Sequence, residues 1–130
     1  MLQKISTDKA PAAIGPYSQG IVLGNIFFAS GQIPIDPATG EIHGTTIEEQ
    51  AEQVMKNIGE LLQAAGHRLH QSSQDSCFLA DMGDFAAFNQ SMQSTLLRIL
   101  PEAVLQSRPF PKTYYVKWKS LQKYNADKNA

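Results

Sequence analysis

Between Thr46 and Gly66 the chain carries one apolar stripe: Ile47, Ala51, Val54, Ile58, Leu61, Leu62 and Ala65. That spacing is the single face of an amphipathic helix. Thr46 with Glu49 three residues on reads as a capping box, and Gly66 is a natural C-terminal stop. A helix with one long apolar face must cover it with another layer. The sequence supplies strands for that layer. In GIVLGNIFFASGQI two β-branched and aromatic runs flank Gly24-Asn25, which reads as a hairpin. Gly31 is expected to end the second run and free the backbone there. SCFLAD reads as a further strand, and Asp84 as the cap of a second helix opening with DFAAFN. Phe85 and Phe88 share a face of that helix and read as core. PAAIGPYSQ, with Pro11, Gly15 and Pro16, reads as a rigid extended loop, and IDPATGEI as a turn. The prediction is an α+β domain: a main helix over 47–65, packed on a sheet containing 20–30 and 76–81. A second sheet face left uncovered would favour oligomerisation.

The 130 residues are read as one domain, 1–130, and a 42% hydrophobic content is enough for a core. No apolar run reaches the 18 residues of a membrane span, and Met1 to Lys9 carries no secretory apolar block. A lone cysteine, Cys77, fits a reducing cytoplasm and reads as a small buried hydrophobe. His43, His67 and His70 are too scattered for a metal motif, so no metal site is expected. Charge is uneven: residues 1–89 hold four Lys/Arg against ten Asp/Glu, and residues 90–130 hold seven against two. A basic tail interleaved with Tyr114, Tyr115, Trp118 and Tyr124 has the chemistry of a single-strand binder, whereas the acidic body opposes that reading.

No Gly-rich phosphate loop or serine–histidine pair appears, so composition and spacing name no function. The strings APAAIGPYSQG, FASGQIPIDPATGEI, EEQAEQVMKNIGELLQAAG and CFLADMGDFAAFN do. In order and spacing they resemble the RidA/YjgF family, known as 2-iminobutanoate/2-iminopropanoate deaminases and also as endoribonuclease L-PSP-like proteins. The match covers residues 9–66 and 77–89. The resemblance implies a chorismate-mutase-like (YjgF-type) mixed sheet with two helices packed on one face. It also implies a homotrimer with ligand clefts between subunits. The implied reaction is hydrolysis of 2-aminoacrylate/2-iminopropanoate to a 2-keto acid and ammonia, with no cofactor. Residue by residue, Tyr17 matches the family's cleft tyrosine and is the expected catalytic residue. Ser30 and Gly31 match the strand end where backbone groups approach the substrate, and Asn89 matches a position near the cleft. Alternatives of other classes are an RNA-binding protein, ribonuclease or translation inhibitor, and a trimeric module that binds small keto acids without turnover.

The resemblance lapses at 67–75 and again over 90–130. The family's carboxylate-binding arginine lies in a segment like PARSC, and a cleft glutamate in a strand like EVEVIA; neither string is present. Both lapses read as shifts of reading frame. Taken from the third base of each codon, Met92-Gln93 forces Ala, Tyr114-Tyr115 forces Leu and Trp118-Lys119 forces Glu. Permitted codons then yield PARSCVAV, LPKDLL and REVEVIAKVQR, with a stop across Ala126-Asp127. As printed, the tail has no clean period-2 strand, and loss of the last sheet strand is expected.

Overall fold

The computed structural model describes the backbone of residues 2–13, 15–24, 26–66, 74–96, 103–107 and 116–123, and the side chains of 2–13, 15–24, 26–66 and 79–92. Its elements are β1 (Leu2–Ile5), β2 (Gly20–Leu23), β3 (Ile26–Ala29), α1 (Ile47–Ala64), β4 (Gln74–Leu79), α2 (Phe85–Leu96), β5 (Ala103–Ser107) and β6 (Val116–Lys123). They build an α+β fold on one six-stranded sheet of order β1-β2-β3-β6-β4-β5. Only β4 and β5 pair in parallel; every other neighbouring pair is antiparallel.

Connectivity explains where the helices lie. β3 and β4 both run antiparallel to β6, so β3–α1–β4 is a crossover with β6 filling the gap. β4–α2–β5 is a second crossover in the same direction across the sheet. Connections of one hand moving one way put both helices on one face. There α1 packs against α2, β3 and β6.

The α1 stripe is buried as its spacing implies: Ile47, Ala51, Val54, Ile58, Leu61, Leu62 and Ala65 all join the core with Met55. From the sheet come Ile5, Val22, Phe27, Ala29 and Leu79, and from α2 Phe88 and Met92. Phe27 lies so close over Gly20 on the next strand that a Cβ there would stand 2.7 Å from its ring. The helix start is a variant capping box. Thr46 Oγ1 accepts from Glu49 N at 3.2 Å, while Glu49 Oε2 reaches past Thr46 to accept from Thr45 N at 2.9 Å. At the other end Gly66, at φ 83°, donates to Gln63 O as the stop requires.

Several expectations are corrected. The tail does not lose the last strand: Val116–Lys123 occupies the slot between β3 and β4, and Ala103–Ser107 extends the edge. Two facing strand edges each offer unpaired backbone groups, and any extended segment free of proline can satisfy them whatever its side-chain alternation. β4 starts at Gln74, inside the first lapse, and ends at Leu79. Asp81, not Asp84, is the capping aspartate; it accepts from Gly83 N at 2.8 Å and opens one 3-10 turn, Met82–Asp84, ahead of α2. Phe85 is 39% exposed while Phe88 is fully buried, because a residue at a helix's first position lies beyond the reach of the core. Gly31 is not among the glycines of positive φ; Ala29 already ends the strand. The Cys77 and Trp118 side chains and His67, His70, Tyr114, Tyr115 and Tyr124 lie outside the described residues. Among the described residues no helix is long and apolar enough to cross a membrane.

Phe27→Ala should lower the unfolding free energy by about 3–5 kcal/mol, since the ring is fully enclosed between Gly20 and α1. Urea titration followed by circular dichroism reads this as an earlier midpoint.

Candidate functional site

The site builds from the open end of the β2–β3 hairpin, opposite the Gly24 turn. Here the loop 6–19 enters β2 and the segment 30–35 leaves β3. Ser30 ties the two together twice: its N–H donates to Gln19 O at 2.9 Å, and its hydroxyl donates to Ser18 O. Both donors of Ser30 are therefore engaged by the loop that carries Tyr17. Tyr17 itself is 54% exposed. Its ring lies against Gly15, where a Cβ would come within 3.2 Å. It borders an open groove of about 730 Å³ between the loop and β1, together with Lys4, Thr7, Asp8, Ser18 and Gln19. Ser30, Gly31 and Asn89 do not line that groove.

Segment 30–35 is held from below by α1. Asn57 donates to Ile33 O at 3.2 Å and Ile35 O at 2.9 Å, and accepts from Gln53 Nε2 at 2.8 Å. Gln50 Nε2 donates to Gly44 O at 3.1 Å. Gln32 donates to Ser30 O at 3.3 Å, and its buried Oε1 has no partner among the described residues. Beyond it the IDPATGE turn closes on Asp36, which accepts from Ala38 N through its side chain and from Gly40 N through its carbonyl. The turn ends at Gly40, φ 75°.

Of the expected site residues, Tyr17, Ser30 and Gly31 come together at this end of the hairpin. Asn89 sits apart, half-buried on α2, with no hydrogen-bond partner among the described residues. The buried amides Gln19, Gln32, Gln50, Gln53 and Asn57 were given no role by the sequence. Their one signal was polar side chains at 53 and 57 beside apolar stripe positions on a helix, where a solvated face would not put them. Among the described residues no three His, Cys, Asp or Glu side chains converge on a metal-sized site. What the described part offers around Tyr17 is its hydroxyl, the Lys4 amine, the Asp8 carboxylate, the hydroxyls of Thr7 and Ser18, backbone groups and amides. Such a set can hold and orient a small planar polar molecule.

A mixed sheet with two helices on one face, and a tyrosine-bearing loop at its hairpin end, defines the class of small chorismate-mutase-like α+β proteins. The sequence profile of the family described as Endoribonuclease L-PSP matches residues 7–123. The chain belongs to that family, the RidA/YjgF proteins. A RutC family protein, y4sK of Sinorhizobium fredii, is 49% identical over 90 residues, 69% of this chain and 71% of the relative. The 2-iminobutanoate/2-iminopropanoate deaminase of Mus musculus is 41% identical over 97 residues, 75% of this chain and 72% of the relative. Among solved structures, RidA from an Antarctic Psychrobacter species superposes with a TM-score of 0.87 at 37% identity, covering 93% of this chain and 98% of that one.

Asn57→Leu should destabilise the protein by roughly 1–3 kcal/mol for each carbonyl left buried without a donor. Faster amide hydrogen exchange at His43 and Asp36, whose N–H groups close this turn on Pro34 O and Glu41 O, is the accompanying local sign.

Proposed function

We propose that the protein is a deaminase that hydrolyses 2-imino acids, with 2-aminoacrylate/2-iminopropanoate as the type substrate, to 2-keto acids and ammonia. The observation that carries the reading is the exposed Tyr17, held at the hairpin end by its own loop in a chain 41% identical to a named imine deaminase. The chemistry asks little of the protein. The enamine tautomerises to an imine whose carbon is already electrophilic. Water adds across C=N, and the adduct expels ammonia to leave the keto acid. Holding the acid in one orientation and placing the water is the main task. Tyr17 would cover the substrate and orient water with its hydroxyl, the backbone at Gly31 would approach the substrate, and Asn89 would lie near the cleft. Ser30's own donors being engaged, its part is to hold the loop. No cofactor enters this scheme.

The assembly we propose is a homotrimer with clefts between subunits, working in the cytoplasm. Its support is the sheet face away from the helices. There Leu2, Leu23, Ile26 and Phe28 are 58%, 51%, 38% and 46% exposed. Leu2 pairs with Leu23, Leu23 with Ile26, and Ile21 with Phe28, so they form one contiguous patch. β6 fills the slot between β3 and β4, so the sheet that carries this patch is continuous. Light scattering at micromolar concentration should give three times the 14.3 kDa chain mass, and Phe28→Lys should shift it toward the monomer. A monomeric parent protein would defeat the trimer.

Activity is conditional on the arginine and glutamate of the family. We propose that one extra base near Gly66, one missing near Asp75 and one missing near Asn89 separate this sequence from a tail containing PARSC and EVEVIA. The alignment with y4sK takes in 90 residues, 69% of the chain, as a break would require, whereas the family profile runs on to residue 123 across that point and counts against it. In that tail the arginine would grip the substrate carboxylate with a planar fork that lysine lacks. Arg98 and Arg108 of the printed tail come from another frame and do not substitute; both lie outside the described residues. Loss of one charge-assisted contact costs on the order of 1.5–3 kcal/mol, or roughly one to two decades in rate. An intact mass decides the frame: the 14.3 kDa of the printed chain means that this tail is translated. Pyruvate release in a coupled dehydratase assay should be found in the frame-corrected chain, fall with Tyr17→Phe, and be weaker by that one to two decades in the printed chain. Equal activity of both chains would sink the arginine's role.

A ribonuclease reading rests on the family's description as Endoribonuclease L-PSP. Cleavage of single-stranded RNA by the purified chain, abolished by no metal chelator and unaffected by Tyr17→Phe, would favour it over deamination.

A further inference from the structure

We infer that Gln19 is the positioning residue that sets Tyr17 over the cleft, an assignment that rests on the deaminase reading for its catalytic consequence. β1 and β2 pair up to Ile5 and Gly20, so the connection 6–19 leaves and returns at one point of the sheet. Its described residues include no helix or strand. A loop of that length with only its ends fixed has many conformations, and an exposed aromatic on it would have no defined place.

Gln19 removes that freedom from inside. Its side chain is 6% exposed and turns back under the loop. Oε1 accepts from Thr7 N at 2.7 Å. Nε2 donates to Pro11 O at 2.8 Å, Thr7 O at 3.0 Å and Ala10 O at 3.2 Å. Two hydrogens serve three carbonyls, so one is shared. The grip pins residues 7–11 and leaves 12–18 as a short sub-loop. Ser30 fixes the far end of that sub-loop through Ser18 O and Gln19 O. Within it Pro16 limits φ, and Gly15 gives the Tyr17 ring its floor. Tyr17 thus has two anchors, Gln19 before it through Pro11 and Ser30 after it through Ser18.

The position demands a carboxamide. One acceptor and two donors at that reach are what glutamine supplies. Glutamate would aim a carboxylate at three carbonyl oxygens, methionine would leave four backbone groups unpaired, and asparagine is one methylene too short.

The test uses the full chain with 3-fluorotyrosine placed at position 17. Its fluorine NMR signal in the parent protein should be a single resonance displaced from that of a solvated tyrosine. In Gln19→Glu, Gln19→Met and Gln19→Asn it should move to the solvated position. Three substitutions keep the test alive if one of them does not fold. In the frame-corrected chain, Gln19→Asn should lower kcat/KM by roughly 10–100-fold, the scale of a misplaced catalytic group. Adding Tyr17→Phe should cost little more, because both changes remove the same group from its place. Unmoved fluorine signals in folded variants, or losses that multiply, would overturn the assignment. If Tyr17→Phe alone leaves iminopropanoate hydrolysis unchanged, the deaminase reading fails and the fluorine signal still decides whether Gln19 positions Tyr17.

Discussion

The apolar face of α1 against the sheet is the contact on which the other features rest. Val54, Ile58, Leu61 and Leu62 are fully buried against Phe27, Leu79 and Phe88, which belong to three different elements. Removing a fully buried side chain of this size from water is worth about 1.5–3 kcal/mol. The same surface sets where everything else can be. The helix axis fixes the height of Gln50, Gln53 and Asn57, and those amides fix the segments at Gly44, Ile33 and Ile35. The hairpin's helix-side residues are drawn in, so its other residues are turned out as the apolar patch of Leu2, Leu23, Ile26 and Phe28.

Two buried polar systems then shape the hairpin end. One is the Gln53–Asn57 pair beneath 33–35; the other is Gln19 inside the 6–19 loop. Each satisfies backbone groups that lie outside regular structure, where no ladder is available to do so. Loops of this kind carry function when something rigid holds them. Here the rigid part is a carboxamide on a helix in one case and immediately before a strand in the other.

The family assignment and the geometry bear on different questions. Kinship identifies the fold and suggests the reaction. Geometry changes what individual residues can do: Ser30 has both donors directed at the loop and so acts as a brace, and Asn89 stands on another element with its amide free among the described residues. In a trimer with clefts between subunits, Tyr17 and Asn89 need not meet within one chain.

Much was legible in the sequence because it depends on short-range chemistry. The 3.6-residue period of the α1 stripe, the Thr46–Glu49 cap, the Gly66 stop and the Gly24-Asn25 hairpin each follow from side chains within a few residues of one another. The motifs around Tyr17 and Ser30 were legible as kinship. Only the tertiary structure decided the rest. Val116–Lys123 alternates only over Val116-Lys117-Trp118-Lys119 before Leu121 breaks the pattern, yet it is an inner strand of the sheet because β3 and β4 leave a slot whose backbone groups need partners. Asp81 caps in place of Asp84, since the chain turns one step earlier on leaving β4. Gln19 looks like any polar residue before a strand; its role exists only once β1 and β2 pair and fold the loop back over it. Local propensity is written in neighbouring residues, whereas pairing edges and buried amides acquire meaning from segments distant in the chain.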